Sequence, residues 1–81
     1  MDTRIAVLSI IIEDNESVEA VNKILHEYCD VVIGRMGIPY RQRGINIISV
    51  ALDAPQKDIS AMSGKMGNLP GVFVKTAYSN L

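Results

Sequence analysis

Ile5-Ala6-Val7-Leu8-Ser9-Ile10-Ile11-Ile12 is the stretch that decides the fold. It is rich in β-branched residues and broken only by Ser9, so it reads as a strand buried on both faces. It is far shorter than the ~20 apolar residues that a membrane-spanning helix needs. Asp14 and Asn15 follow with turn chemistry and offer a helix N-cap, and Glu16 and Glu19 suit a first helical turn. Val18, Val21, Ile24, Leu25 and Tyr28 then recur at helical spacing, which predicts an amphipathic helix over Glu16–Tyr28.

After Asp30, Val31-Val32-Ile33 opens a second strand that runs through Gly34 and Gly37 toward Pro39. Tyr40-Arg41-Gln42-Arg43-Gly44 reads as a polar turn closing a hairpin. Ile45-Asn46-Ile47-Ile48-Ser49-Val50-Ala51-Leu52 is a third strand. Asp53-Ala54-Pro55 marks another helix start, with proline at the first helical position. Ile59, Met62, Met66 and Leu69 form that helix's apolar stripe, and Gly67-Asn68 with Leu69-Pro70-Gly71 stops it. Val72-Phe73-Val74-Lys75-Thr76-Ala77-Tyr78 is the last strand.

Strand, helix, strand is thus followed by strand, helix, strand. That order is the split βαβ of an α+β, ferredoxin-like βαββαβ domain: a four-stranded antiparallel sheet with two helices on one face. The domain takes up the whole chain, residues 1–81. Two helices leave the second face of the sheet uncovered. Alternation on the first strand puts Ile5, Val7 and Ile11 on one side and Ala6, Leu8, Ile10 and Ile12 on the other. On the third strand Ile45 and Ile47 oppose Ile48, Val50 and Leu52. A solvated face should carry polar residues at these positions. A second copy of the chain is the economical cover, which makes Ile5, Val7, Ile45 and Ile47 the expected interface of a dimer or tetramer.

Bulk composition agrees with a small domain that needs help. A chain of 81 residues hides only roughly 60–65% of its unfolded surface on folding. One cysteine, Cys29, rules out an intrachain disulfide and fits a reducing, cytoplasmic compartment. The N-terminus lacks the pattern of a secretory signal. Eight basic and nine acidic residues give a net charge of −1, so neither nucleic acid nor an anionic membrane is the expected partner.

Motifs for catalysis are missing. There is one histidine, no Gly-x-Ser-x-Gly, and Glu13 and Asp14 at a strand end are explained by capping. His26 and Cys29 share one side of the first helix but are too few for a structural zinc site, so an exposed histidine and a half-buried thiol are expected, with no metal and no cofactor. Gly34-Arg35-Met36-Gly37 and Gly64-Lys65-Met66-Gly67 spell the Gly-x-x-Gly of KH domains without its placement between helices. Gly64-Lys65 lacks the rest of a P-loop. RNA-recognition domains share the βαββαβ order but stack bases on aromatics of the first and third strands, which hold none here. There remains a cationic group around the hairpin: Arg35, Arg41 and Arg43 with Tyr40. Guanidinium groups suit carboxylates or phosphates, so these four residues are the candidate site for an anionic ligand. Arg35 and Tyr40 start on opposite faces, and only a twist, a bulge or a second subunit would unite them.

Arg4–Asp14, Val21–Tyr28, Gly34–Arg41 and Leu69–Val72 through Val74–Thr76 together resemble the small proteins called iron-only hydrogenase system regulators. Gly34–Arg41 carries the most specific part of the likeness. More distantly, the third strand, the helix after it and the Leu69-Pro70-Gly71-Val72 turn are similar to the C-terminal domain of nickel-responsive repressors and to ACT-like regulatory domains. The resemblance implies an ACT-like, ferredoxin-like domain that assembles through its sheet and takes small effectors at subunit interfaces. The repressors bind metal through strand histidines and a cysteine. The matching strands here hold no histidine, so that site does not carry over. Nor is their separate DNA-binding domain represented, and a regulator of this kind is expected to act without touching DNA itself. The expectation is a non-catalytic, homo-oligomeric module that senses a small anion or a partner protein. The alternative is an assembly or maturation accessory that binds a protein and no effector.

Overall fold

The β-branched run near the N-terminus is extended, as its side chains favour, and forms strand β1 (Arg4–Ile12). The structure is a computed structural model and describes residues 2–80. After β1 come α1 (Val18–Glu27), β2 (Val32–Tyr40), β3 (Ile45–Ala54), α2 (Gln56–Gly67) and β4 (Val72–Tyr78). Short 3-10 turns at Asn15–Ser17, Cys29–Val31 and Arg41–Arg43 join them. The four strands form one sheet in the order β2-β3-β1-β4, and every neighbouring pair is antiparallel. This is the ACT-like, ferredoxin-like βαββαβ architecture expected from the sequence.

The core follows parity. Ala6, Leu8, Ile10 and Ile12 of β1 lie beside Leu52, Val50, Ile48 and Asn46 of β3, and paired residues share a face. The apolar members of these pairs are buried beneath Val21 and Leu25 of α1 and Ile59, Met62 and Met66 of α2. β1 is therefore not buried on both faces within one chain. Its odd-numbered residues Ile5, Val7 and Ile11 point away from both helices and are exposed.

Several element ends differ from the pattern reading, each for a local reason. Asp14 does cap the first helix, its carboxylate accepting the Glu16 N–H at 2.9 Å. The first turn is 3-10, however, and α1 runs only from Val18 to Glu27. Val31 belongs to a 3-10 turn, and β2 begins at Val32. Pro55 is the N-cap of α2, not its first helical residue, and has extended backbone (φ −60°, ψ 149°). Ala54 before it is fully buried and pairs with Arg4, so the ladder and the proline together hold that residue extended.

An irregularity in β2 has a larger effect. Val32 pairs with Leu52, and Gly34 pairs with Ala51, so Ile33 is an extra residue in the ladder. It has no partner on β3 and is 63% exposed. Such a bulge reverses the side-chain alternation beyond it. Val32 and Arg35 consequently face the helices together, while Gly34, Met36, Ile38 and Tyr40 face the open side.

The two halves are stitched at one corner. The Glu13 N–H donates to the Gly71 carbonyl at 2.7 Å, and the Ser17 hydroxyl donates to the Pro70 carbonyl at 2.6 Å. Gly71 has φ 68°, and a Cβ there would sit 2.7 Å from Asp14 Cβ and 2.8 Å from Asp14 N. Both the left-handed backbone and the clash exclude a side chain. Gly71→Ala is expected to cost about 2–4 kcal/mol, read as a lower urea midpoint with an unchanged slope.

Candidate functional site

Three surfaces hold the residues that sequence reasoning singled out. The first is the open face of the sheet. Register places Ile38, Ile47, Ile11 and Phe73 side by side across all four strands. They are 45%, 37%, 40% and 56% exposed, an uninterrupted apolar row. The next row is Met36, Ser49, Ser9 and Lys75, and the one after is Gly34, Ala51, Val7 and Ala77. Tyr40 and Ile45 extend the face beyond the isoleucine row. Ile5, Val7, Ile45 and Ile47 all lie here, as alternation predicted. Met36, Ile38 and Phe73 were missed. Phe73 follows from carrying the parity of β1 onto β4; the β2 residues do not, because the bulge resets their parity.

The second surface is the hairpin between β2 and β3. Arg41 and Arg43 lie in its 3-10 turn, which Gly44 ends in the left-handed region (φ 66°). Both arginines are exposed, and Arg43 borders a depression of about 360 Å3 with Glu13 and Ile45. Tyr40 lies on the open face, and its hydroxyl donates to Gln42 Oε1 at 2.8 Å. Arg35 does not join them. It is on the opposite side of β2, so within one chain the four residues split into Tyr40, Arg41 and Arg43 at the sheet's end and Arg35 on the helix side.

Arg35 belongs to the third surface, a groove between α1 and β2. Helix α1 leans on α2, where Lys65 Nζ donates to the Tyr28 hydroxyl at 3.1 Å. β2, at the edge of the sheet, is left exposed along nearly all its length. One cavity of about 380 Å3 in this groove is lined by Asn22, Leu25, His26, Cys29, Val32 and Arg35. A second, of about 210 Å3, shares Asn22 and Arg35 and continues past Val18, Gly37, Pro39 and Ile48. At their junction Arg35 Nη2 donates to Asn22 Oδ1 at 2.7 Å. Asn22, His26 and Cys29 reach the groove because their spacing of four and three puts them on one side of the chain as it leaves α1. Cys29 is exposed, not half-buried as expected, because the 3-10 turn carries it outside the helix packing. Sequence reasoning saw the His26–Cys29 pair and Arg35 separately; only the crossover connection brings them together.

A family model described as "TM1266-like: Iron-only hydrogenase system regulator, putative" matches residues 4–76. Among solved structures, that of uncharacterized protein TM1266 from Thermotoga maritima is 32% identical, with a TM-score of 0.91, covering 95% of this chain and 98% of that one. A formyltetrahydrofolate deformylase from Pseudomonas putida KT2440 is 16% identical, with a TM-score of 0.69. It covers 95% of this chain and 30% of its own, and at that identity the likeness concerns fold alone. No curated protein matches the chain.

Metal-ligating side chains are sparse. Among the described residues no three His, Cys, Asp or Glu side chains are grouped as a metal site would require. His26 and Cys29 offer two ligands on an open rim, short of a closed tetrahedral set. A strong chelator is expected to leave the thermal midpoint unchanged, measured by differential scanning fluorimetry with and without added zinc or nickel. A fall on chelation, reversed by one metal, would reveal a site completed by a second subunit.

Proposed function

This chain belongs to the TM1266-like family of iron-only hydrogenase system regulators, and from that premise we propose that it works as a non-catalytic, homo-oligomeric regulatory module. The observation that carries the reading is the row Ile38–Ile47–Ile11–Phe73, which crosses the whole sheet with no helix above it. Fully hiding a large apolar side chain is worth about 1.5–3 kcal/mol, and a contiguous apolar face of this kind is rare on soluble monomers. Beyond the intervening row of Met36, Ser49, Ser9 and Lys75, the row of Gly34, Ala51, Val7 and Ala77 projects little and lets an apposed sheet approach closely. The occupant is a second copy, giving a dimer or a tetramer built from such dimers, with Ile5, Val7, Ile45 and Ile47 in the interface.

The module responds to a small anion or to a partner protein. Assembly through the sheet carries Tyr40, and with it Arg41 and Arg43, to the border of the interface, where two copies of the hairpin add their charges. Arg35 serves from the helix side. In this reading no role falls to nucleic acid, since a net charge of −1 offers no general attraction to a polyanion, and none to membrane. The single exposed thiol fits a cytoplasmic setting. One feature favours the accessory-protein reading instead: β2 is a free edge strand, exposed on both faces, that a partner's strand could extend.

Sedimentation velocity and native mass spectrometry at micromolar concentration test the proposal. Wild type is expected to run as a dimer or larger. Ile47→Asp places an unpaired charge in the face and is expected to weaken assembly by several kcal/mol, at least about 100-fold. A monomeric wild type sinks the oligomer. A retained small molecule in the native spectrum supports sensing, whereas a co-purified protein of fixed stoichiometry supports the accessory role.

A further inference from the structure

We propose that the groove between α1 and β2 is a binding site for a small monocarboxylate with an apolar tail, its carboxylate held by Arg35 and its tail lying over Gly37. The inference deepens the reading of this domain as a sensor of anions and rests on it.

The head group is set by the donors at the junction of the two cavities. Arg35 is the charged residue there, and among the described residues its partner is the neutral Asn22 side chain, not a carboxylate. That bond consumes one guanidinium N–H and the Asn22 oxygen. What remains at the groove is donor-rich: the rest of the guanidinium fork and the Asn22 amide N–H groups, with the His26 imidazole also on the lining. A set of donors around one fixed positive charge matches an anion of charge −1, and the planar fork matches a carboxylate in two-point contact. A phosphate dianion would leave a charge unbalanced, since Arg35 is the one Lys or Arg side chain lining either cavity.

The tail is set by the second cavity. Beyond Arg35 its lining is mostly apolar, with Val18, Gly37, Ile38, Pro39, Ile47 and Ile48, and Asn46 adds one polar side chain. Gly37 pairs with Ile48, so a side chain there would point to the helix side, yet an added Cβ would meet nothing within 4 Å. Its φ is not in the left-handed region. Neither packing nor backbone geometry within this chain requires glycine at 37, and the open volume above it is what glycine provides. The bulge at Ile33 completes the arrangement, because it turns Arg35 to the same side as Val32 and the groove.

The test is a 15N–1H correlation titration of the full chain with butanoate, acetate and inorganic phosphate. Butanoate is expected to give saturable shifts at Asn22, Val32, Arg35 and Gly37, and to bind about tenfold more tightly than acetate, which lacks two methylenes. Arg35→Gln is expected to weaken butanoate about tenfold or more, and Arg35→Lys, which keeps the charge without the fork, by less. Gly37→Val fills the tail space at an exposed edge position where β-branching suits the strand. It is expected to bring butanoate down to the affinity of acetate, while the spectrum reports an intact fold. Phe73→Asp lies on the open face at the other edge of the sheet, outside both cavities, and its butanoate affinity is expected to match wild type, so the groove is judged separately from the sheet interface. Absence of saturable shifts with millimolar butanoate overturns the site, as do shifts confined to Arg41–Arg43 or insensitivity to Arg35→Gln. Tighter binding of phosphate than of butanoate overturns the carboxylate assignment, and insensitivity to Gly37→Val overturns the placement of the tail.

Discussion

Two helices cannot cover two faces of a four-stranded sheet, and most of this molecule follows from that shortage. α1 and α2 together hide the even-numbered side chains of β1 from Ala6 to Ile12 and of β3 from Ile48 to Ala54. The odd-numbered side of the same strands is also largely apolar, broken by Ser9, Ser49 and Asp53, yet no helix covers it. Strand alternation makes the two sides independent, so β1 is a core strand on one face and free to serve the proposed assembly on the other. In the proposed assembly a second copy of the same surface covers that side.

The shortage is also uneven. Helices lie over β1, β3 and β4, while β2, at the edge, is exposed on both sides beyond Val32. This strand accordingly contributes to two surfaces at once: Met36 and Ile38 face the open sheet, and Arg35 and Gly37 face the groove below α1. Successive residues of one strand are rigidly coupled through its backbone. Allosteric regulation couples two sites whose states bias one another, and β2 is the element that the proposed assembly face and the proposed ligand groove have in common.

Rigidity elsewhere isolates these surfaces from the core. The corner where β1 enters α1 is fastened to the turn between α2 and β4 by the Glu13–Gly71 and Ser17–Pro70 hydrogen bonds. These bonds satisfy backbone groups at helix and strand ends that would otherwise be left unpaired. The Asp14–Gly71 approach is close enough that the two halves are in register only when residue 71 is glycine. At the far end of the sheet, Arg4 stacks on the Tyr78 ring at 4.0 Å and donates to Gln56 at 2.7 Å, which ties β1, α2 and β4 together.

Period-two and period-3.6 patterns were enough to determine element order, fold class and the inward-facing residues of β1, β3 and α2, because burial of apolar side chains dictates both the patterns and the packing. The same parity exposed Ile5, Val7, Ile45 and Ile47 as an uncovered face without any coordinates. Ends of elements were less legible: whether Val31, Ala54 and Pro55 sit in strand, turn or cap depends on ladder partners 20 or more residues away. The site was least legible of all. Arg35, Tyr40, Arg41 and Arg43 are neighbours in sequence but not in space, since alternation sends Arg35 and Tyr40 to opposite sides. Asn22, His26, Cys29 and Arg35 are scattered in sequence yet line one cavity. That grouping was decided by tertiary structure alone, through the packing of α1 against the sheet and the one-residue bulge at Ile33, for an extra residue in a strand reverses every side chain after it and leaves no mark in the local sequence pattern.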